Sequence, residues 1–154
     1  MPHDLDRYLI AQEQEQDGFR DAIAQLRRGR KTGHWIWWIF PQIQGLGETE
    51  TTRRYAIVSL DEARAYFAHP VLGARLLECA RALLATEGLT VGDIFDHPDD
   101  LKLRSSMTLF LRAAPDEPLF GQVLHRYFDG IPDQRTDDIL RHQVAAVVDG
   151  PEPR

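Results

Sequence analysis

Apolar positions along this chain recur mainly at helical spacing. Leu5, Tyr8, Leu9 and Gln12 stand at i, i+3, i+4 and i+7, which predicts a helix over residues 4–15. Asp17 is the expected cap of a second helix, with Phe19, Ile23 and Leu26 on one face and Gly29 just past its end. Ser59-Leu-Asp-Glu62 has the spacing of a capping box and opens a helix ending near His69. Pro70 suits the first turn of a longer helix carrying Leu72, Leu76, Leu83 and Leu84, stopped by Gly88.

The second half continues in the same manner. Pro98 starts a helix over Leu101 to Ala113, with Leu103, Met107, Phe110 and Leu111 as its apolar stripe. Pro118 begins another, in which Leu119, Phe120, Val123, Leu124, Tyr127 and Phe128 form a wide apolar face before Gly130. Thr136 is the expected cap of a last helix through Leu140, Val144 and Val147, ended by Gly150-Pro151, and residues 151–154 read as a mobile tail. Alternation is scarce. Residues 34–40 can be read as a strand or a helix, and Tyr55 to Val58 is the only other strand-like run. With no repeat or linker, the expectation is an all-α fold: one compact domain over residues 1–150, of about six or seven helices.

Composition narrows the class. A chain of 154 residues can bury a core of its own, about 68–70% of its unfolded surface. A net charge of −6 argues against a protein that coats nucleic acid non-specifically, since such surfaces are basic. The lone Cys79 excludes an internal disulfide framework and fits a reducing compartment. The polar N-terminus lacks the apolar centre of a signal peptide, and the run Trp35–Phe40 falls far short of the roughly 20 residues needed to span a bilayer. The expectation is a soluble cytoplasmic protein with no membrane partner.

Candidate chemistry concentrates in one segment. All three tryptophans, Trp35, Trp37 and Trp38, follow a basic lead-in of Arg27, Arg28, Arg30, Lys31 and His34, and precede Pro41, Gln42, Gly45 and Gly47. Pro41 biases Phe40 away from helical dihedrals, so a helix through the tryptophans should end there. In such a helix Trp35 and Trp38 share a face and Trp37 points elsewhere, so that one surface joins the core while another lines a cleft. Indole faces stack on bases or sugars, and neighbouring cations add charge recognition. The same residues also serve as helix anchors, and cations at a helix C-terminus complement its dipole by about 0.3–1 kcal/mol each. His34 has the right range to act as acid or base near neutral pH, or to make a structural hydrogen bond.

A second polar group runs from Asp96 to Thr108. Its helix start offers free amides to an anion or to the capping carboxylates of Asp99 and Asp100. Lys102, Ser105 and Ser106 place a cation and two hydroxyls one turn apart, although mid-helix serines commonly bond to a backbone carbonyl. The aspartates lack a calcium-loop pattern and the histidines lack metal-ligand spacing, so no metal or cofactor is expected. Hydrolase elbows, zinc-protease, phosphate-loop and dinucleotide signatures are also missing.

The segment Gly29-Arg-Lys-x-x-His-Trp-x-Trp-x-Ile-Phe-Pro-Gln42, the Gly-Leu-Gly47 and Tyr-Ala-Ile57 that follow, His69-Pro-x-Leu-Gly73-x-Arg-Leu76 and Asp99-Asp-Leu-Lys-Leu-x-Ser-Ser-Met-Thr-Leu-Phe110 resemble domain-of-unknown-function family 1810. The resemblance runs from about residue 5 to residue 140 and implies a small, mostly helical bacterial protein. It carries a fold and no reaction; the calpastatin label given to some relatives finds no support in these residues. One departure is Asp96, where family members tend to have glycine.

Taken together, the residues suggest a binding domain, and a candidate enzyme, for a small anionic metabolite such as a nucleotide or an ADP-ribose-like compound. Arg30 and Lys31 would pair with phosphate, and Trp35 or Trp38 would stack on a ring. Gln42, Lys102, Ser105 and Ser106 would add polar contacts, with His34 as the acid or base. This requires residues 30–42 and 102–106 to meet in space. The rival expectation is a protein-interaction module that docks a partner through Trp35–Phe40.

Overall fold

The computed structural model describes the backbone of residues 3–148 and the side chains of residues 3–145. Among these residues the fold is all-helical, with ten helices rather than six or seven. They are α1 (Asp6–Gln12), α2 (Phe19–Arg28), α3 (Ile36–Ile39), α4 (Glu50–Tyr55), α5 (Leu60–Ala68), α6 (Pro70–Ala85), α7 (Val91–Ile94), α8 (Asp99–Ala113), α9 (Pro118–Phe128) and α10 (Gln134–Val148). The undercount has a simple cause. Helices α3, α4 and α7 are too short to complete the periodic pattern by which longer ones are recognised. The expected stop at Gly150-Pro151 and the tail 151–154 lie outside the described residues.

Helix α8 is the centre of the molecule. It packs against α5, α9 and α10 and touches α3, while α6 bridges α2, α5 and α9. Leu103, Met107, Leu109 and Phe110 of α8 are fully enclosed, and Phe110 stacks obliquely on Tyr66 and Phe120. The only β pairing among the described residues is a single parallel bridge between Ile43 and Ile57. The Ile57 amide donates to the Gln42 carbonyl and the Gln44 amide to that of Ile57, which pins the segment after the tryptophans beside the end of α4.

Several helix ends differ from expectation. Helix α1 stops at Gln12 because the chain doubles back: a Cβ on Gly18 would lie 2.3 Å from the Gln14 carbonyl oxygen. Gly18, not Asp17, is the cap of α2; Asp17 is left-handed (φ 58) and its carboxylate accepts from the His34 amide instead. Gly29 ends α2 in the left-handed conformation expected of it (φ 79). Ser59 caps α5 through the Glu62 amide, but the Glu62 carboxylate turns to the Val58 amide and Arg7, so only half of the box forms. Thr136 is not a cap. Asp133 takes that role, its Oδ2 accepting from both the amide and the hydroxyl of Thr136.

Candidate functional site

The Arg30–Gln42 segment is shaped by the buried Gln25 side chain of α2 and by Asp17 in the turn before it. Gln25 Oε1 accepts from the Thr32 amide, the Gly33 amide and Trp35 Nε1, at 2.9, 2.9 and 2.7 Å. Three donors on one amide oxygen fold the loop over the end of α2. Trp38 Nε1 donates to the Asp17 carbonyl at 2.8 Å. Trp35 is wholly buried against Phe40 and Phe95, and Trp38 is only 9% exposed. The stacking role expected of Trp35 and Trp38 is therefore corrected: both rings are spent on the core. Ile36, Ile39 and Phe40 are buried as well, so the run presents no broad aromatic face to a partner.

The two predicted segments do meet. Lys31, 8% exposed, sends its Nζ to Asp99 Oδ2 at 2.8 Å and to the Gly33 carbonyl, and lies 5.2 Å from the Trp35 ring centre. Asp99 Oδ1 is 3.4 Å from Lys102, whose ammonium stands 4.9 Å from the centre of the Trp37 ring. The expected use of Asp99 and Asp100 as helix caps gives way to these pairs: Asp99 joins two lysines, and Asp100 holds His97 at 3.0 Å. Asp96, at the position where glycine was expected, has no positive φ and pairs with Arg30 at 2.7 Å. Arg30 and Lys31 therefore already have carboxylate partners.

Two concavities flank this ion-paired ridge. The outer cleft, about 400 Å³, is lined by Arg30, Lys31, His34, His97, Pro98 and Asp99. His34 is exposed there, and its ring makes no hydrogen bond among the described residues. The inner cleft, about 300 Å³, is lined by Gln42, Leu46, Thr52, Lys102, Ser105, Asp133 and Arg135; Pro98 lines both. Ser105 lies within donor range of the Leu101 carbonyl (3.0 Å) and Asp133 (3.2 Å). Ser106 is fully buried and lines neither cleft, and its hydroxyl has no partner among the described residues.

A family model described as "Protein of unknown function (DUF1810)" matches residues 2–140. The chain belongs to that family. A crystal structure described as the conserved hypothetical protein Rv1873 from Mycobacterium tuberculosis is similar to this DUF1810 chain with a TM-score of 0.88. The two are 45% identical, and the match covers 92% of this chain and 99% of the other. No match is found among curated proteins. In this DUF1810 chain the sequence pattern missed Arg135 and Asp133 as residues of the inner cleft, and Trp37 as the tryptophan of a small chamber beside it. Trp37 carried a legible signal, since it lies off the shared face of Trp35 and Trp38. Asp133 and Arg135 carried none, because nothing local tells that the start of α10 returns to α8.

Proposed function

We propose that this protein binds a small anionic metabolite, a nucleotide or an ADP-ribose-like compound, in the inner cleft. One observation carries the reading: two polar side chains with no partner among the described residues, Arg135 and Gln42, converge there. Arg135 makes no ion pair or hydrogen bond among the described residues, and the Gln42 side-chain amide is likewise uncommitted. The one carboxylate among the described residues lining the cleft, Asp133, has its Oδ2 engaged by Ser105 and Thr136 at the start of α10. A concavity of this size with a few convergent polar groups is the usual form of a small-molecule site. Its two cations, Lys102 and Arg135, give it a sign opposite to that of the whole chain.

Anion recognition accordingly moves from Arg30 and Lys31, held by carboxylates at 2.7 and 2.8 Å, to Arg135 and Lys102. Arg135 has no partner among the described residues, and the longer 3.4 Å contact of Lys102 is to an Asp99 already engaged by Lys31. His34 faces the adjoining outer cleft and is the group placed to move a proton on a ligand long enough to cross Pro98. An acidic chain with one buried thiol fits a soluble protein of the cytoplasm. No described helix is long and apolar enough to cross a membrane. The alternative of partner docking through Trp35–Phe40 would need those rings at the surface.

Thermal unfolding with nucleotides, NAD, ADP-ribose and sugar phosphates tests the proposal. A ligand at 100 times its Kd adds about 2.7 kcal/mol, a rise of roughly 5–10 °C for a domain of this size. Arg135→Ala should abolish that rise while shifting the unliganded midpoint by no more than about 0.5 kcal/mol, as for an exposed residue without partners. No rise with any of these compounds would refute the reading.

A further inference from the structure

The three indole N–H groups of this protein are not equivalent. Those of Trp35 and Trp38 are taken by Gln25 and Asp17, whereas Trp37 Nε1 is buried with no hydrogen-bond partner among the described residues. Leaving such a donor unsatisfied costs about 1–3 kcal/mol, so its position calls for an acceptor. Trp37 lines a chamber of about 10 Å³ together with Gln42, Leu46, Thr52 and Tyr55. Gln42, Leu46 and Thr52 also line the inner cleft, so the chamber adjoins it. Its volume is that of one small atom, on the order of a single water. Lys102 stands over one face of the Trp37 ring, 4.9 Å from its centre.

Resting on the small-anion reading, we propose that the site selects nucleotides whose base carries a carbonyl in place of an exocyclic amine. The phosphate sits at Arg135 and Lys102, and the base carbonyl enters the chamber to accept from Trp37 Nε1–H. The Gln42 amide, able both to donate and to accept, meets the neighbouring ring atom. An exocyclic amine in the same place would set donor against donor, and a site built to hydrogen-bond one group rejects the analogue lacking it.

Inosine 5′-monophosphate and adenosine 5′-monophosphate differ at that one group, and ribose 5-phosphate lacks the base. Titration of the 15N-labelled full chain with each, followed through the indole N–H signals, separates the outcomes. Inosine monophosphate should bind about tenfold or more tighter than adenosine monophosphate. It should shift only the indole signal that disappears in Trp37→Phe, and that variant should bind the two nucleotides alike. Equal affinity for the two nucleotides, or binding that leaves the Trp37 signal in place, overturns this inference while the small-anion reading stands. Failure of all three compounds to bind overturns this inference, and the small-anion reading falls with it when NAD and ADP-ribose also leave the unfolding midpoint unchanged.

Discussion

At the scale of single residues, the fate of each polar atom decides its role more than residue type does. Trp35 and Trp37 are two positions apart, yet one indole N–H is bonded at 2.7 Å and the other has no partner among the described residues. Trp35→Phe should therefore cost about 1–3 kcal/mol in urea unfolding, from a lost buried bond and lost volume. Trp37→Phe should stay within about 0.5 kcal/mol of the parent, because the lost volume is offset by removal of an unsatisfied donor. The serines divide in the same way. Ser106→Ala should leave the urea midpoint unchanged or raise it, since the hydroxyl it removes is buried with no partner among the described residues; a loss above about 1 kcal/mol would mean that the hydroxyl has a partner. Periodicity could state which tryptophans share a face, but not which face is inside. That is why Trp35 and Trp38 read as ligand platforms and Trp37 did not.

At the scale of elements, the long helices were legible because proline, glycine and apolar spacing agree along each of them. Pro70 and Pro118 do open α6 and α9, and Gly29 closes α2. What could not be read was how ends are joined to distant partners. Asp133 illustrates this: it caps α10, accepts from Ser105 of α8, and its own amide donates to Thr108. Asp133→Ala should cost about 1–2 kcal/mol, the usual value of a cap with some further loss from the freed hydroxyls. Circular dichroism and thermal unfolding would register it, and an unchanged midpoint would deny the cap its role. Lys31 is a similar joint. It ties the turn after α2 to α8 through Asp99, so Lys31→Met should destabilise by about 1–3 kcal/mol, less than for an isolated buried pair because Lys102 still faces Asp99. A test of ligand binding made through Lys31 would confuse folding with recognition, whereas Arg135 avoids that confusion.

At the scale of the whole molecule, the core encloses groups that ionise only when the chain opens. Cys79 is 1% exposed, and burial drives its thiol well above the ordinary range. Burial does the same to the hydroxyls of Tyr8 and Tyr66, only partly opposed by Arg7 at Tyr8 and by the Gln12 hydrogen bond at Tyr66. For an acid whose folded pKa is raised, the unfolded chain loses its proton first as pH rises. Stability is then full below the unfolded pKa and falls above it. The decline should begin near pH 8.5 with the thiol and steepen near pH 10 with the two tyrosines, each group removing about 1.4 kcal/mol per pH unit beyond its unfolded pKa. Urea unfolding at intervals from pH 8 to 11 would show the curve. Cys79→Ala should flatten the stretch between pH 8.5 and 10 even though its stability is lower throughout. The native thiol should also resist alkylation until denaturant is added, because a buried thiol offers neither access nor thiolate. Rapid labelling of the folded chain at pH 8, or a slope unchanged by Cys79→Ala, would mean that the centre of α6 opens to solvent without global unfolding.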